Sequence, residues 1–141
     1  MRTQSTITQA LSLGSIYFAF AFCAGTLLGT LRELLIAPLW GTLAATAVEV
    51  PIILAFSWFA AARIYFRQDR FISLGGAAAS GCFALLLLLV SEILLGRLAL
   101  GMTLSQIFTH WQSAAGAAGL GAQFLFASIP AVQRAIRERP L

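Results

Sequence analysis

The fold the sequence predicts is an all-α membrane protein: a bundle of four transmembrane helices with one short interfacial helix before the last span. Three observations predict it. The chain has 141 residues, of which 60% are hydrophobic and only 10% charged, whereas about a quarter of a soluble domain is charged. The few charges gather at segment ends, leaving uncharged runs over residues 11–31, 71–91 and 111–133, and a fourth run, 34–62, whose single charge is Glu49. Each run meets the ~20 residues that a helix needs to cross a bilayer. The runs are continuous, without the ten-residue alternation of outer-membrane strands, so helices are expected rather than a barrel. The whole chain reads as a single transmembrane domain.

Span one is expected over about residues 11–36. Ser12, Ser15, Cys23, Thr26, Thr30 and Glu33 fall on one helical face. Gly25 and Gly29 form a GxxxG on a neighbouring face, a spacing that lets another backbone approach closely. That approach is either packing within the chain or self-association. Pro38 and Gly41 then mark a tight turn. Span two, about 39–62, carries Thr42, Thr46, Glu49 and Ser57 in a narrow arc. Pro51 has no amide to give the carbonyl of Ala47, so a helix kink is expected beside the buried acid.

A short basic loop leads to span three, about 71–95. Its first half, 75–81, is nearly all Gly, Ala and Ser, suited to close packing, and its second half is bulky. Residues 103–112 read as the interfacial helix. Thr103 and Gln106 have capping-box spacing, and Leu104, Ile107, Phe108 and Trp111 make one apolar stripe. Such a helix lies flat at the headgroup level. Span four, about 113–132, places Gly116, Gly119, Gln123 and Ala127 on one face and is followed by a basic tail, 133–141.

Every cation is arginine. Arg2, Arg63, Arg67, Arg70, Arg134, Arg137 and Arg139 fall on one side of this topology and only Arg32 and Arg97 on the other. The excess puts both termini in the cytoplasm of a multi-pass protein and offers the tail to anionic membrane lipids. The net charge of +4 thus reports topology, and no nucleic-acid partner is expected. Cys23 and Cys82 lie within spans and read as packing residues. His110 is the only histidine and has no cysteine or acidic cluster beside it in sequence, so no metal is expected. No phosphate loop, nucleophile–base pair or redox CxxC occurs, so neither an enzyme nor a cofactor is expected.

The polar residues inside the spans are the candidate site. Ionisable groups at bilayer depth are costly and mark partners, cavities or ion paths. Arg32, Glu33, Glu92 and Arg97 are expected at the outer level, pairing as Arg32 with Glu92 and Glu33 with Arg97. Glu49 and Gln123 are expected deeper, near mid-membrane, within reach of one hydrogen bond.

The stretch from Gly25 and Gly29 through Arg32-Glu33, Pro38 and Gly41 to Glu49-Val-Pro51, with the later Gly116, Gly119, Gln123, Pro130 and Arg134, resembles small four-span inner-membrane proteins of proteobacteria. The resemblance implies a location in the bacterial inner membrane and carries no assigned activity. The segment from Gly25 to Arg32 is also weakly similar to the first span of small four-span fluoride channels. The second-span Asn of those channels is absent, with Glu49 in its region, and Phe83 stands alone in span three. Small multidrug exporters have four spans and one essential acid, but theirs lies in the first span and does not map onto Glu49.

Two functions remain open from sequence. One is a homo-oligomeric channel or transporter for a small ion or proton. In it Glu49, Gln123, Thr42 and Thr46 line the path, Arg32, Glu33 and Glu92 form its mouth, Pro51 supplies the bend and Gly25 and Gly29 the contact between copies. The other is a non-catalytic structural or accessory subunit of a larger membrane complex.

Overall fold

The computed structural model describes residues 2–66 and 72–138, with side chains from Thr6 onward. Arg67, Arg70, Arg139 and the expected start of span three at residue 71 lie outside the described residues. The described chain is helical, without a strand. Helix α1 spans Arg2–Leu31 and passes through a π-helical turn, Arg32–Ile36, into the short α2, Ala37–Trp40. Helices α3 (Thr42–Tyr65), α4 (Leu74–Leu98), α5 (Leu104–Gln112) and α6 (Ala114–Glu138) follow. Four segments, Thr6–Trp40, Thr42–Tyr65, Leu74–Leu98 and Ala114–Glu138, are long and apolar enough to cross a membrane.

Two boundaries differ from expectation. Pro38 does not turn the chain: it sits in the first turn of α2, and only Gly41, at φ 82°, breaks the helix. Pro38 lacks an amide hydrogen to donate, and its ring crowds the preceding turn. The widened turn just before it, closed by the Ala37 amide on the Arg32 carbonyl, is the local relief. The basic tail is also not separate, because α6 continues through a buried Pro130 to Glu138. There Arg134 pairs with Glu138 at 2.9 Å, and Arg137 stacks 4.2 Å over the Phe66 ring.

The interfacial helix forms as expected. Thr103 Oγ1 accepts the Gln106 amide, and Gln106 Oε1 accepts the Thr103 amide. Ile107 is buried against Gly96, while Leu104 and Phe108 stay exposed. Half the apolar stripe therefore docks α5 on the bundle, and half is left for lipid. At the join to α6, Ser113 Oγ accepts the Gly116 amide at 3.1 Å, and Gly116 lies so close to the His110 carbonyl that a Cβ does not fit.

In the bundle α1 neighbours α3 and α4, and α6 neighbours the same two, so α3 and α4 lie on one diagonal and α1 and α6 on the other. Two tyrosines tie these diagonals. Tyr17 on α1 donates to the Phe126 carbonyl on α6 at 3.0 Å and stacks on the Phe126 ring at 4.3 Å. Tyr65 on α3 shares a 2.6 Å hydrogen bond with Ser80 on α4. The two tyrosine rings meet edge to face at 5.6 Å, and both residues are fully buried. Small residues allow this closeness: Gly14 lies on the Ser80 carbonyl, and Gly81 lies on the Ala127 carbonyl. The small half of span three thus packs tightly, as its composition predicts. Removing the hydroxyl in Tyr65→Phe strands the Ser80 hydroxyl and is expected to lower stability by about 1 kcal/mol. Unfolding in mixed detergent micelles measures this, and an unchanged midpoint refutes the diagonal tie.

The outer surface is apolar. Leu27, Phe59, Leu86 and Phe124 are each more than half exposed, whereas Thr46, Ser57, Ser80 and Gln133 are buried. That inversion suits lipid as the surrounding solvent.

Candidate functional site

Above the tyrosine layer the four long helices part, toward the end of the bundle where Gly41 and α5 lie. A cavity of about 560 Å³ opens there, lined by all four. The inward stripe of α1 explains why. Ala10, Leu13, Tyr17 and Ala21 are buried on it, and the same stripe continues to Gly25, Gly29 and Arg32. At Gly25 an added Cβ meets no atom within 4 Å, and at Gly29 it meets only a Glu49 carboxylate oxygen at 3.8 Å. Packing of these two glycines against a helix of this chain, one of the two readings of the GxxxG, is therefore not what they do. With no side chain to fill the space, they leave the cavity.

Arg32 reaches this cavity from the π-helical turn. Its Nη1 donates to Glu49 Oε2 at 2.8 Å, and its Nη2 and Nε donate to Glu33 Oε1 at 2.8 and 3.2 Å. Glu49 is largely buried, with its side chain 14% exposed, while Glu33 is 56% exposed. One guanidinium thus joins α1 to α3 close to their Gly41 connection. π-turns are rare and concentrate at functional positions. This one directs Arg32 inward.

Opposite, on α4, Glu92 accepts a hydrogen bond from Gln123 Nε2 of α6, and the Trp111 indole of α5 approaches the same carboxylate. Gln123 Oε1 is buried and has no hydrogen-bond partner. Thr46, buried on α3, lines the cavity but donates its hydroxyl to the Thr42 carbonyl at 2.9 Å. Ser57 lies deeper on the same arc, beside Tyr17 and the floor residue Phe126.

The structure brings together Arg32, Glu33, Thr46, Glu49, Glu92 and Gln123 around one space, as a polar site requires, but with different pairings from those expected. The Glu49–Gln123, Arg32–Glu92 and Glu33–Arg97 contacts do not form. The cause is depth. Because the turn is at Gly41, Glu49 lies only seven positions after Thr42, about 10 Å along the axis, not at the middle of its helix. Glu92 lies six positions before Leu98, about 9 Å from the same end. The two acids are level, and Arg32 selects Glu49. Arg97 is exposed near the end of α4, and Thr42 is exposed outside the cavity.

Pro51 is also displaced from its expected role. Helix α3 runs through it, and Pro51 and Ala47 are both exposed and outside the cavity wall. Two residues on either side of Glu49 is about 200° of helical rotation, which turns both to the opposite face. The carbonyl that Pro51 leaves unpaired is therefore not beside the carboxylate.

Tyr17, Tyr65 and Gln133, whose Nε2 donates to the Trp58 carbonyl at 2.8 Å, drew no attention in the sequence. The repeat of buried positions on α1 from Ala10 and Leu13 through Tyr17 to Ala21 is the pattern that marks Tyr17. Among the described residues no group of three or more His, Cys, Asp or Glu side chains is placed to hold a metal.

Four apolar helices of spanning length, an apolar exterior and an internal cavity that carries the polar side chains define a multi-pass integral membrane protein. No family model, curated protein or solved structure matches the chain.

Proposed function

We propose that the chain is a membrane carrier for a small positively charged solute, the proton included, and that the cavity between α1, α3, α4 and α6 is its binding site. The observation that carries this reading is the balance of charge around the cavity. Glu33, Glu49 and Glu92 face it with one cation, Arg32, whose guanidinium is engaged by Glu33 and Glu49. Glu92 is the acid left to receive a cation. Its role is that of the binding group, and Glu49 with Arg32 forms the mouth. The stacked Tyr17–Phe126 pair lies below the cavity, which favours a carrier over an open channel. In this reading the arginine-rich end faces the cytoplasm of a bacterial inner membrane, the cavity opens to the other side, and the chain works as a homo-oligomer.

Purified protein in liposomes, under an imposed pH gradient or membrane potential, tests this. Entry of protons, Na⁺, K⁺ and methylammonium is followed against protein-free vesicles. At least one cation is expected to move, and Glu92→Gln to cut its flux at least 10-fold. Absence of flux for all four under both gradients overturns the reading. The accessory-subunit reading draws support from the bare Gly25–Gly29 face, which leaves room in the cavity for side chains of a partner. A fixed partner retained in mild detergent, without flux, favours it.

A further inference from the structure

The lining and size of the cavity narrow the solute. Its volume, about 560 Å³, falls within the ~300–1,000 Å³ range of small-molecule sites. Filled with water it takes on the order of 15–20 molecules at ~30 Å³ each, far more than the shell of a stripped ion. The wall is mainly apolar, with Phe22, Ile53, Leu54, Leu88, Leu95 and Phe126 contributing side chains. A bare ion gains nothing from such a wall, whereas burying an apolar body against it is favourable.

The polar contacts supply the other half. Glu92 and Gln123 are joined by one hydrogen bond, in which Gln123 Nε2 donates. Glu92 also takes the Trp111 indole, and the lone pairs its two donors leave stand next to the buried, unpartnered Gln123 Oε1. No arginine pairs with Glu92 among the described residues. A primary ammonium has three donors and no acceptor, so it matches both groups at once. An anion instead meets the acids, and Arg32, the one guanidinium at the cavity among the described residues, is already bound on both edges.

We propose that the cavity binds amphipathic primary amines, with the ammonium held between Glu92 and Gln123 Oε1 and the apolar body along the Leu88–Phe126 side. This rests on the cavity being the carrier's binding site and names the chemistry of the solute.

The test is equilibrium binding to the full chain in nanodiscs of zwitterionic lipid, by calorimetry against empty nanodiscs. The probes are 4-phenylbutylammonium, 4-phenylbutanol and 4-phenylbutyrate, which share one apolar body and differ in charge. The ammonium is expected to bind at least 10-fold tighter than the alcohol, and the carboxylate weakest. Glu92→Gln is expected to make ammonium and alcohol bind alike. If that variant does not fold, Gln123→Leu is expected to cost the ammonium several-fold and leave the alcohol unchanged. Gly25→Leu, whose side chain enters open space, is expected to abolish saturable binding of both. Carboxylate binding equal to or above ammonium binding overturns the proposal. So does an ammonium preference that survives Glu92→Gln, or the absence of saturable binding by all three. Amine binding without cation flux in liposomes removes the carrier reading alone, and flux without amine preference removes this inference alone.

Discussion

Gly81→Ala is expected to force α4 away from α6 and to cost about 3 kcal/mol. The Gly81 Cα faces the Ala127 carbonyl so closely that even one methyl group meets backbone, which no rotamer change relieves. Overpacking of this kind commonly costs ~1–3 kcal/mol, and more when backbones must separate. The same substitution at Gly25 provides the contrast. A methyl there touches nothing within 4 Å, and alanine favours a helix over glycine by ~0.5–1 kcal/mol. Gly25→Ala is therefore expected to fold at least as well as the wild type. Titration with a denaturing detergent, followed by helical circular dichroism, compares the three. Equal midpoints for Gly81→Ala and the wild type sink the α4–α6 contact. A collapse of Gly25→Ala shows that its face is covered by something outside the chain.

The second large effect is expected at Arg32. Arg32→Met removes the one charged partner that a largely buried Glu49 carboxylate has among the described residues. Truncating one member of a buried pair costs ~3–5 kcal/mol, because the remaining charge is left uncompensated. Here both partners keep some exposure, so about 2–3 kcal/mol is expected. The sign of the double variant is the sharper test. In Arg32→Met with Glu49→Gln no charge is stranded, and most of the loss should return. A thermodynamic cycle over the four proteins measures that coupling. Additive losses in the double variant contradict the ion pair as the tie between α1 and α3. Glu33 is more than half exposed, and Glu33→Gln is expected to change stability by less than about 1 kcal/mol.

The two glycines and the arginine illustrate why a site is harder to read than a fold. Hydropathy is a local sum, so four spans could be counted from runs of uncharged residues. The capping box around Thr103 was equally local, three residues deep. The small half of α4 was legible because glycine and alanine in a row permit little except close approach. Gly25 and Gly29 carried the same signature with the opposite outcome. Spacing shows that a backbone can approach, not whether a neighbour arrives. Likewise the shared arc of Thr46, Glu49 and Ser57 follows from helical period, yet the partner of Glu49 depended on where its helix begins. A turn at Gly41 rather than Pro38 set that depth, and the wide turn before Pro38 brought Arg32 to meet it.

The sequence by itself determined a membrane bundle with four spans, one surface helix and a handful of polar side chains that must turn inward, because lipid tolerates neither bare backbone nor unpaired charge. The tertiary structure alone decided which of those side chains meet. It set Arg32 on Glu49 and Gln123 on Glu92, crossed Tyr17 and Tyr65 beneath them, and left the glycine face of α1 open. Pairing depends on the relative depth and rotation of helices distant in the chain, and those are fixed by packing at Gly14 and Gly81 rather than by any pattern along one helix.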